Sequence, residues 1–352
     1  MPVQERSTEA FVGQALGELA ACYGGVMVST GHRLGLYRAL AGRGPLSSYE
    51  LASRTGCEER YVREWLNSQV AGGYLDYHEE SETYELPDEH VPVLVDEDSP
   101  LFLAPAFEIP ASRWFDQERT IAAFRTGSGI PWGEHDGRLY CGVSTFYRNA
   151  YRASLVSEWL PALDGVVEKL ERGIRVADVG CGHGHSTTLM ASAFARSRFV
   201  GFDTHEASLD AARAEAAAAG VADRVEFQRA DARSYPGEPY DLICLFDTLH
   251  DLGDPVGAAR QAHRALADDG TLMVVEPYAG DVVSDNLGPV GRLYYTGSAL
   301  LCCTHSRSED VGLALGAQAG PARLTAVLRE AGFTRVATVH ETPFNIVLEA
   351  RR

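Results

Sequence analysis

From residue 173 onward, short apolar runs alternate with longer amphipathic stretches. The runs fall at 174–179, 198–202, 225–229, 242–246 and 271–275, and segments of helical periodicity at 208–219 and 255–267 lie between them. Strands alternating with helices in this way are joined in parallel, because a crossover helix returns the chain to the same end of the sheet. Continuous apolar runs mark strands covered on both faces. A helix at 321–331 precedes two further strand candidates, 335–340 and 344–349, with only Glu341-Thr342-Pro343 between them. That gap permits an antiparallel hairpin and excludes a crossover helix. The pattern predicts an α/β domain: a seven-stranded, Rossmann-like sheet ending in an antiparallel hairpin, with an insertion at about 278–320.

The first hundred residues follow another rhythm. Apolar positions recur at helical spacing over 11–19 and 26–40. Ser47-Ser48-Tyr49-Glu50 offers a capped helix start, Gly56 breaks that helix, and a second runs from Glu58 to Ala71 before Gly72-Gly73. Residues 74–77 and 83–86 flank a polar turn, as in a β-hairpin. Helix, turn, helix and hairpin together make a winged helix. Residues 98–172 are rich in aromatics and loops. The expected division is a mainly helical winged-helix domain at 1–97, a helical linker and substrate cap at 98–172, and a catalytic domain at 173–352.

Charge narrows the possible partners. A formal charge of −18 opposes binding to a polyanion. The segment 58–66 carries at least as many acids (Glu58, Glu59, Glu64) as bases (Arg60, Arg63), and the wing, His78-Glu79-Glu80-Ser81-Glu82, is acidic. Both would repel phosphate, so no nucleic-acid partner is expected; a ligand-responsive DNA regulator is the reading from another class. No run approaches the roughly 18 uninterrupted apolar residues of a membrane span, and the first ten residues lack a secretory pattern. A cytoplasmic location without membrane attachment is the expectation. Seven cysteines, with no CxxC or Cys/His spacing for zinc, read as reduced and structural, with no metal site.

The chemistry centres on Asp178-Val179-Gly180-Cys181-Gly182-His183-Gly184, which passes from strand into helix. Glycines there let the backbone turn tightly and approach a ligand. A dinucleotide loop, GxGxxG, would need glycine at 185, where this chain has His185. Asp178, just before the loop, is poorly suited to a diphosphate but suits an amino group. Asp203 ends the second strand, where an acid can accept hydrogen bonds from ribose hydroxyls. Asp231 follows the third strand at the same sheet edge.

These residues resemble the motifs of the class I S-adenosylmethionine (SAM)-dependent methyltransferases over about 170–352. The resemblance implies that Asp178 faces the methionine amine, Asp203 the ribose and Asp231 the adenine. Gly180, Cys181, Gly182, Gly184, Thr204, Ala232 and Phe246 complete the implied SAM site, and S-adenosylhomocysteine (SAH) is the implied product. With its winged helix the chain resembles plant phenolic and bacterial natural-product O-methyltransferases, whose N-terminal domain forms a homodimer and helps close the substrate pocket. A small-molecule acceptor is therefore implied, with oxygen as acceptor atom ahead of carbon or nitrogen.

His250, in Leu249-His250-Asp251 after the fourth strand, is the candidate general base, since its ordinary pKa of about 6.5 suits proton acceptance near neutrality. A packing or hydrogen-bonding role is the alternative. The segment is similar to that holding the catalytic histidine of phenolic O-methyltransferases, which continues with Trp where this chain has Leu252. Glu276, at the end of the fifth strand, is either an acid partner or a turn-stabilising residue. Trp132, His135, Tyr147, Tyr151, Tyr294 and Tyr295 are the candidate lining of an aromatic acceptor pocket.

Overall fold

A computed structural model describes residues 7–352 except Glu238. Contacts divide the chain into two interleaved units: one holds the residues up to Phe115 with Gly137–Asn149, the other Asp116–Asp136 with Ala150–Arg352. The aromatic stretch 98–172 thus contributes to both.

In the first unit, α1 (Thr8–Arg33), α2 (Leu36–Leu40), α3 (Ser48–Thr55) and α4 (Glu59–Ala71) precede the hairpin of β1 (Asp76–His78) and β2 (Thr83–Glu85). Tyr77 pairs with Tyr84 in that hairpin. Ser47 caps α3 in a reciprocal capping box with Glu50, and Gly56 closes it in the left-handed region. The short helices α5 (Val91–Leu94), α6 (Glu108–Phe115) and α8 (Arg138–Ala150) follow, the last beyond α7 (Gln117–Thr126) of the second unit. Trp65 is the keystone of this unit's core. Its indole Nε1 donates to the Met27 carbonyl at 2.9 Å, and its ring lies where a Cβ on Gly31 would sit.

Most of α1 lies outside that core. Phe11, Val12, Leu16, Leu19, Tyr23 and Val26 are exposed. By length and composition α1 is apolar enough to cross a membrane. No uninterrupted apolar run marks it, because Gln14, Glu18, Ser29 and Thr30 break up its apolar positions.

In the second unit, α9 (Val166–Arg172) leads into β3 (Arg175–Val179), α10 (His185–Ala193), β4 (Arg198–Asp203), α11 (Glu206–Ala218), β5 (Val225–Arg229), β6 (Tyr240–Phe246), α12 (Pro255–Ala265) and β7 (Leu266–Pro277). Then come α13 (Pro289–Gly297), α14 (Cys303–Ser308), α15 (Gly320–Glu330), β8 (Arg335–Glu341) and β9 (Asn345–Arg351). The sheet order is β5-β4-β3-β6-β7-β9-β8. Strands β3 to β7 pair in parallel, and β9 runs antiparallel to both β7 and β8. The seven strands and the closing hairpin match the pattern read from the sequence. The largest shift among the strand boundaries is at β7, which begins at Leu266, inside the stretch assigned to the preceding helix. Pairing of Leu266 with Tyr240, across a bulge, extends the strand backwards.

Order along the sheet reverses between β3 and β6. At such a switch point the two connections leave in opposite directions and open a crevice beyond the carboxyl ends of the strands. Phe202, Tyr235, Tyr240 and Phe333 anchor the core beneath it. Asp178, the glycine loop, Phe246 and His250 all belong to this edge.

Candidate functional site

Asp178 lies at the carboxyl end of β3 and is 1% exposed. Its Oδ2 accepts from Ser186 Oγ and Thr187 Oγ1, both at 2.6 Å, in the first turn of α10. Its Oδ1 is sealed from solvent without a hydrogen-bond partner. Burial raises the carboxyl pKa to about 6, against the two hydroxyls that favour the anion and with some help from the Asp203 charge. A buried, half-satisfied carboxylate of this kind calls for a cation or donor from outside the chain.

The glycine loop is shaped by contact as much as by flexibility. Gly180 has φ of +79°, and a Cβ there would stand 2.5 Å from Thr248 Oγ1. Gly184 is equally confined, 2.7 Å from both Ala212 and Phe227. Above Gly182 (φ +51°), by contrast, space is open. Gly180→Ala is expected to cost roughly 1–3 kcal/mol through strain and overpacking. Denaturant unfolding would measure it, and an unchanged midpoint would refute the crowding argument.

Asp203, at the end of β4, accepts from the Gly182 amide at 2.8 Å through Oδ2 and from the His205 amide at 2.9 Å through Oδ1. It therefore ties the loop to the strand and keeps further acceptor capacity. Thr204 beside it is exposed, and Cys181 is buried beneath the loop. Asp231 is clasped by its near neighbour: Arg233 donates through Nε at 3.0 Å and Nη2 at 2.7 Å. Those hydrogen bonds hold its carboxyl below the usual range. Ala232 sits between the two, half-buried. Phe246 is buried at the end of β6, its ring 5.4 Å from that of Tyr151.

His250 is 2% exposed and occupied on both sides. Nδ1 meets Glu276 Oε2, and Nε2 lies 3.1 Å from Asp251 Oδ1. Glu276 is 1% exposed and also accepts from the Leu249 amide at 2.9 Å. Burial opposes the imidazolium, but the Glu276 and Asp251 carboxylates outweigh it and lift the pKa well above the ordinary value. Glu276 thus meets His250 and, through the Leu249 amide, also holds the turn after β6 rather than the one before Pro277.

Other neighbours were invisible in the sequence. Cys302, from the insertion, joins His250 and Asp251 with donor atoms within 4.8 Å of one another, a grouping that could hold a metal ion and that spacing alone did not reveal. Asp247 adopts φ of +48°, its Oδ1 accepts from Asn345 Nδ2 at 3.3 Å, and among the described residues its Oδ2 has no hydrogen-bond partner.

The aromatic candidates separate. Tyr151 and Tyr294 are buried, and the Tyr294 hydroxyl donates to the Phe344 carbonyl at 2.7 Å. Tyr295 is at the exposed end of the range. His135 is buried with Nδ1 3.0 Å from Asp116 Oδ2. Trp132 presents its ring to His135 and to His305. Tyr147 belongs to the first unit, where it packs edge-on against Phe146.

Comparison with known proteins identifies two domains in the chain. Residues 22–95 match the Rv2258c-like winged HTH domain, and residues 170–330 match a methyltransferase domain. The 27-O-demethylrifamycin SV methyltransferase of Amycolatopsis mediterranei is 32% identical over 131 residues, which cover 35% of this chain and 48% of that protein. The chain thus spans about half the length of the curated relatives it matches. Two solved structures align over nearly the whole chain and share its fold. An O-methyltransferase family protein from Burkholderia thailandensis has a TM-score of 0.73 at 18% identity, covering 99% of each chain. Human N-acetylserotonin methyltransferase, solved in complex with SAM, has a TM-score of 0.73 at 18% identity, covering 100% of this chain and 99% of that one. The chain therefore carries a winged helix-turn-helix domain at 22–95 ahead of a methyltransferase domain at 170–330.

Proposed function

We propose that this protein transfers a methyl group from SAM to an oxygen atom of a small molecule. The observation that carries the donor assignment is Asp178: a buried carboxylate with one unpartnered oxygen, beside a loop whose middle glycine faces open space. Those residues fit SAM. Asp178 would hold its amino group, Asp203 its ribose and Asp231 its adenine, with Gly180, Cys181, Gly182, Gly184, Thr204, Ala232 and Phe246 around them. When bound, SAM supplies an electrophilic methyl whose C–S bond breaks as the acceptor oxygen bonds to carbon, the sulfur keeping the electron pair.

The chain must then align the acceptor and remove its proton. Alignment is often the larger contribution, and buried Tyr151, Phe246 and Tyr294 favour an apolar or aromatic acceptor. His250 takes the proton on Nε2, after the acceptor hydroxyl displaces Asp251 there, while Glu276 on Nδ1 fixes the ring and stabilises the imidazolium. The Amycolatopsis relative, an O-methyltransferase by name, supports oxygen as the acceptor atom. Incubation of the protein with methyl-labelled SAM and a panel of phenols tests the reading by mass spectrometry. Labelled methyl ethers together with SAH are expected; label only on carbon or nitrogen acceptors would overturn the oxygen assignment.

A homodimer is part of the same proposal. Val12, Leu16, Leu19, Tyr23 and Val26 recur along α1 at spacings of four and three, the seam of a helix pair, and all are exposed. A DNA partner is disfavoured because Arg60 and Arg63 of α4 are each paired with a glutamate of the same helix. Light scattering is expected to give twice the chain mass, and Leu16→Glu with Tyr23→Glu to give the monomer. A monomeric wild type would refute the assignment.

A further inference from the structure

Among the described residues, two carboxylate oxygens at the switch point have neither a hydrogen-bond partner nor an ion-pair partner, whereas Asp251 Oδ1 lies against His250; SAM carries two positive charges. Asp178 Oδ1 is one, on a side chain only 1% exposed. The second is Asp247 Oδ2. Asp178 pairs in register with Cys244 of β6, and Asp247 follows the end of that strand, so both acids stand at the carboxyl edge of adjacent strands. Both bear electrostatically on the phenol of Tyr151.

The chain holds Asp247 in place at some cost. Its φ of +48° is a conformation that side-chain-bearing residues rarely adopt, and strain of this kind persists where surrounding structure imposes it. Its amide donates to the Val275 carbonyl at 2.7 Å, and buried Asn345 fixes Oδ1. Among the described residues no cation pairs with Oδ2. His250, whose charge bears on Asp247, is itself taken up by Glu276 and Asp251. Burial and the neighbouring Glu276 charge favour the neutral form of Asp247 until a cation arrives.

Resting on the methyl-donor reading above, we propose that Asp247 faces the sulfonium of SAM and so lets the protein distinguish the charged donor from its neutral product. The order along the edge supports this pairing. Asp178, next to the glycine loop, is matched to the ammonium. Asp247 follows β6 three residues before His250, and of the two charges on SAM the methyl-bearing sulfonium must be the one nearer the proton acceptor. Once the methyl has left, sulfur is a neutral thioether. The attraction to Asp247 is then gone and SAH is released, while the ammonium contact with Asp178 is common to both ligands.

Calorimetric titration with SAM, SAH and sinefungin, an analogue with an amine in place of the methylsulfonium, tests the proposal. Asp247→Asn is well suited, since asparagine tolerates positive φ; Asp247→Gly removes the carboxylate and also relieves the backbone. Both variants are expected to bind SAM and sinefungin about 10- to 100-fold more weakly, the worth of a charge-assisted contact, with SAH affinity within about twofold of wild type. A parallel loss for all three ligands, or no loss for SAM, would overturn the role of Asp247. If wild type binds none of the three, it is the methyl-donor reading that has failed.

Discussion

Asp178→Asn is expected to separate stability from ligand binding. Asparagine can still accept from Ser186 or Thr187, but it carries no charge for a ligand's ammonium. SAM affinity should fall about 10- to 100-fold, the usual worth of a charge-assisted hydrogen bond. The ligand-free protein should become more stable at neutral and higher pH. The folded carboxyl has a pKa of about 6 against an ordinary 3.8, so the fold prefers the protonated form. The stability linked to that proton is fully present below about pH 3.8 and lost as pH rises through about 6, amounting to roughly 3 kcal/mol by pH 8. Thermal unfolding without ligand should therefore place Asp178→Asn above wild type at pH 8, with the gap closing toward pH 4. Equal midpoints at pH 8 would contradict the burial argument, and unaltered SAM affinity would contradict the role in binding.

The second large effect concerns His250. Removing a general base costs about 10²- to 10⁴-fold in rate, so His250→Gln should lower kcat by that range with SAM binding retained. A sharper signature is the pH profile. Glu276 and Asp251 lift the imidazole pKa well above its usual value, so the base form, and with it kcat/KM, should rise on an alkaline limb. Removing the Asp251 charge weakens the imidazolium, which lowers that pKa; Asp251→Asn should therefore shift the limb toward acid pH. The linkage to stability has the matching sign. The His250 ion pairs contribute fully below about pH 6.5 and are lost as pH rises through the higher folded value. A pH–rate profile that Asp251→Asn leaves unmoved would assign His250 to bracing the turn after β6.

Much of the fold was legible because hydrophobic period and turn chemistry act locally. The capping box at Ser47, the left-handed glycine at 56 and the short gap at 342–344 each fix their own few residues. Asp178, Asp203 and His250 were visible because each ends or follows a strand, and parallel strands bring their carboxyl ends to one edge. What escaped depends on distant chain. Cys302 reaches His250 and Asp251 from an insertion about 50 residues away, and Asn345 reaches Asp247 from β9. The capture of Asp231 by Arg233 was within reach of sequence, since only Ala232 separates them, but a turn that brings both carboxylate oxygens to one guanidinium leaves no periodic signal. The clasp of Asp116 on His135 likewise joins residues with no shared period.

Entry of SAM into the crevice between β3 and β6 is the central claim. Calorimetric titration of the wild-type protein with SAH, repeated in the presence of excess NAD, tests this most directly. One saturable site per chain is expected, competed by SAM and indifferent to NAD, because His185 replaces the glycine that a dinucleotide loop requires. No saturable SAH binding, or SAH displaced by NAD, would contradict it.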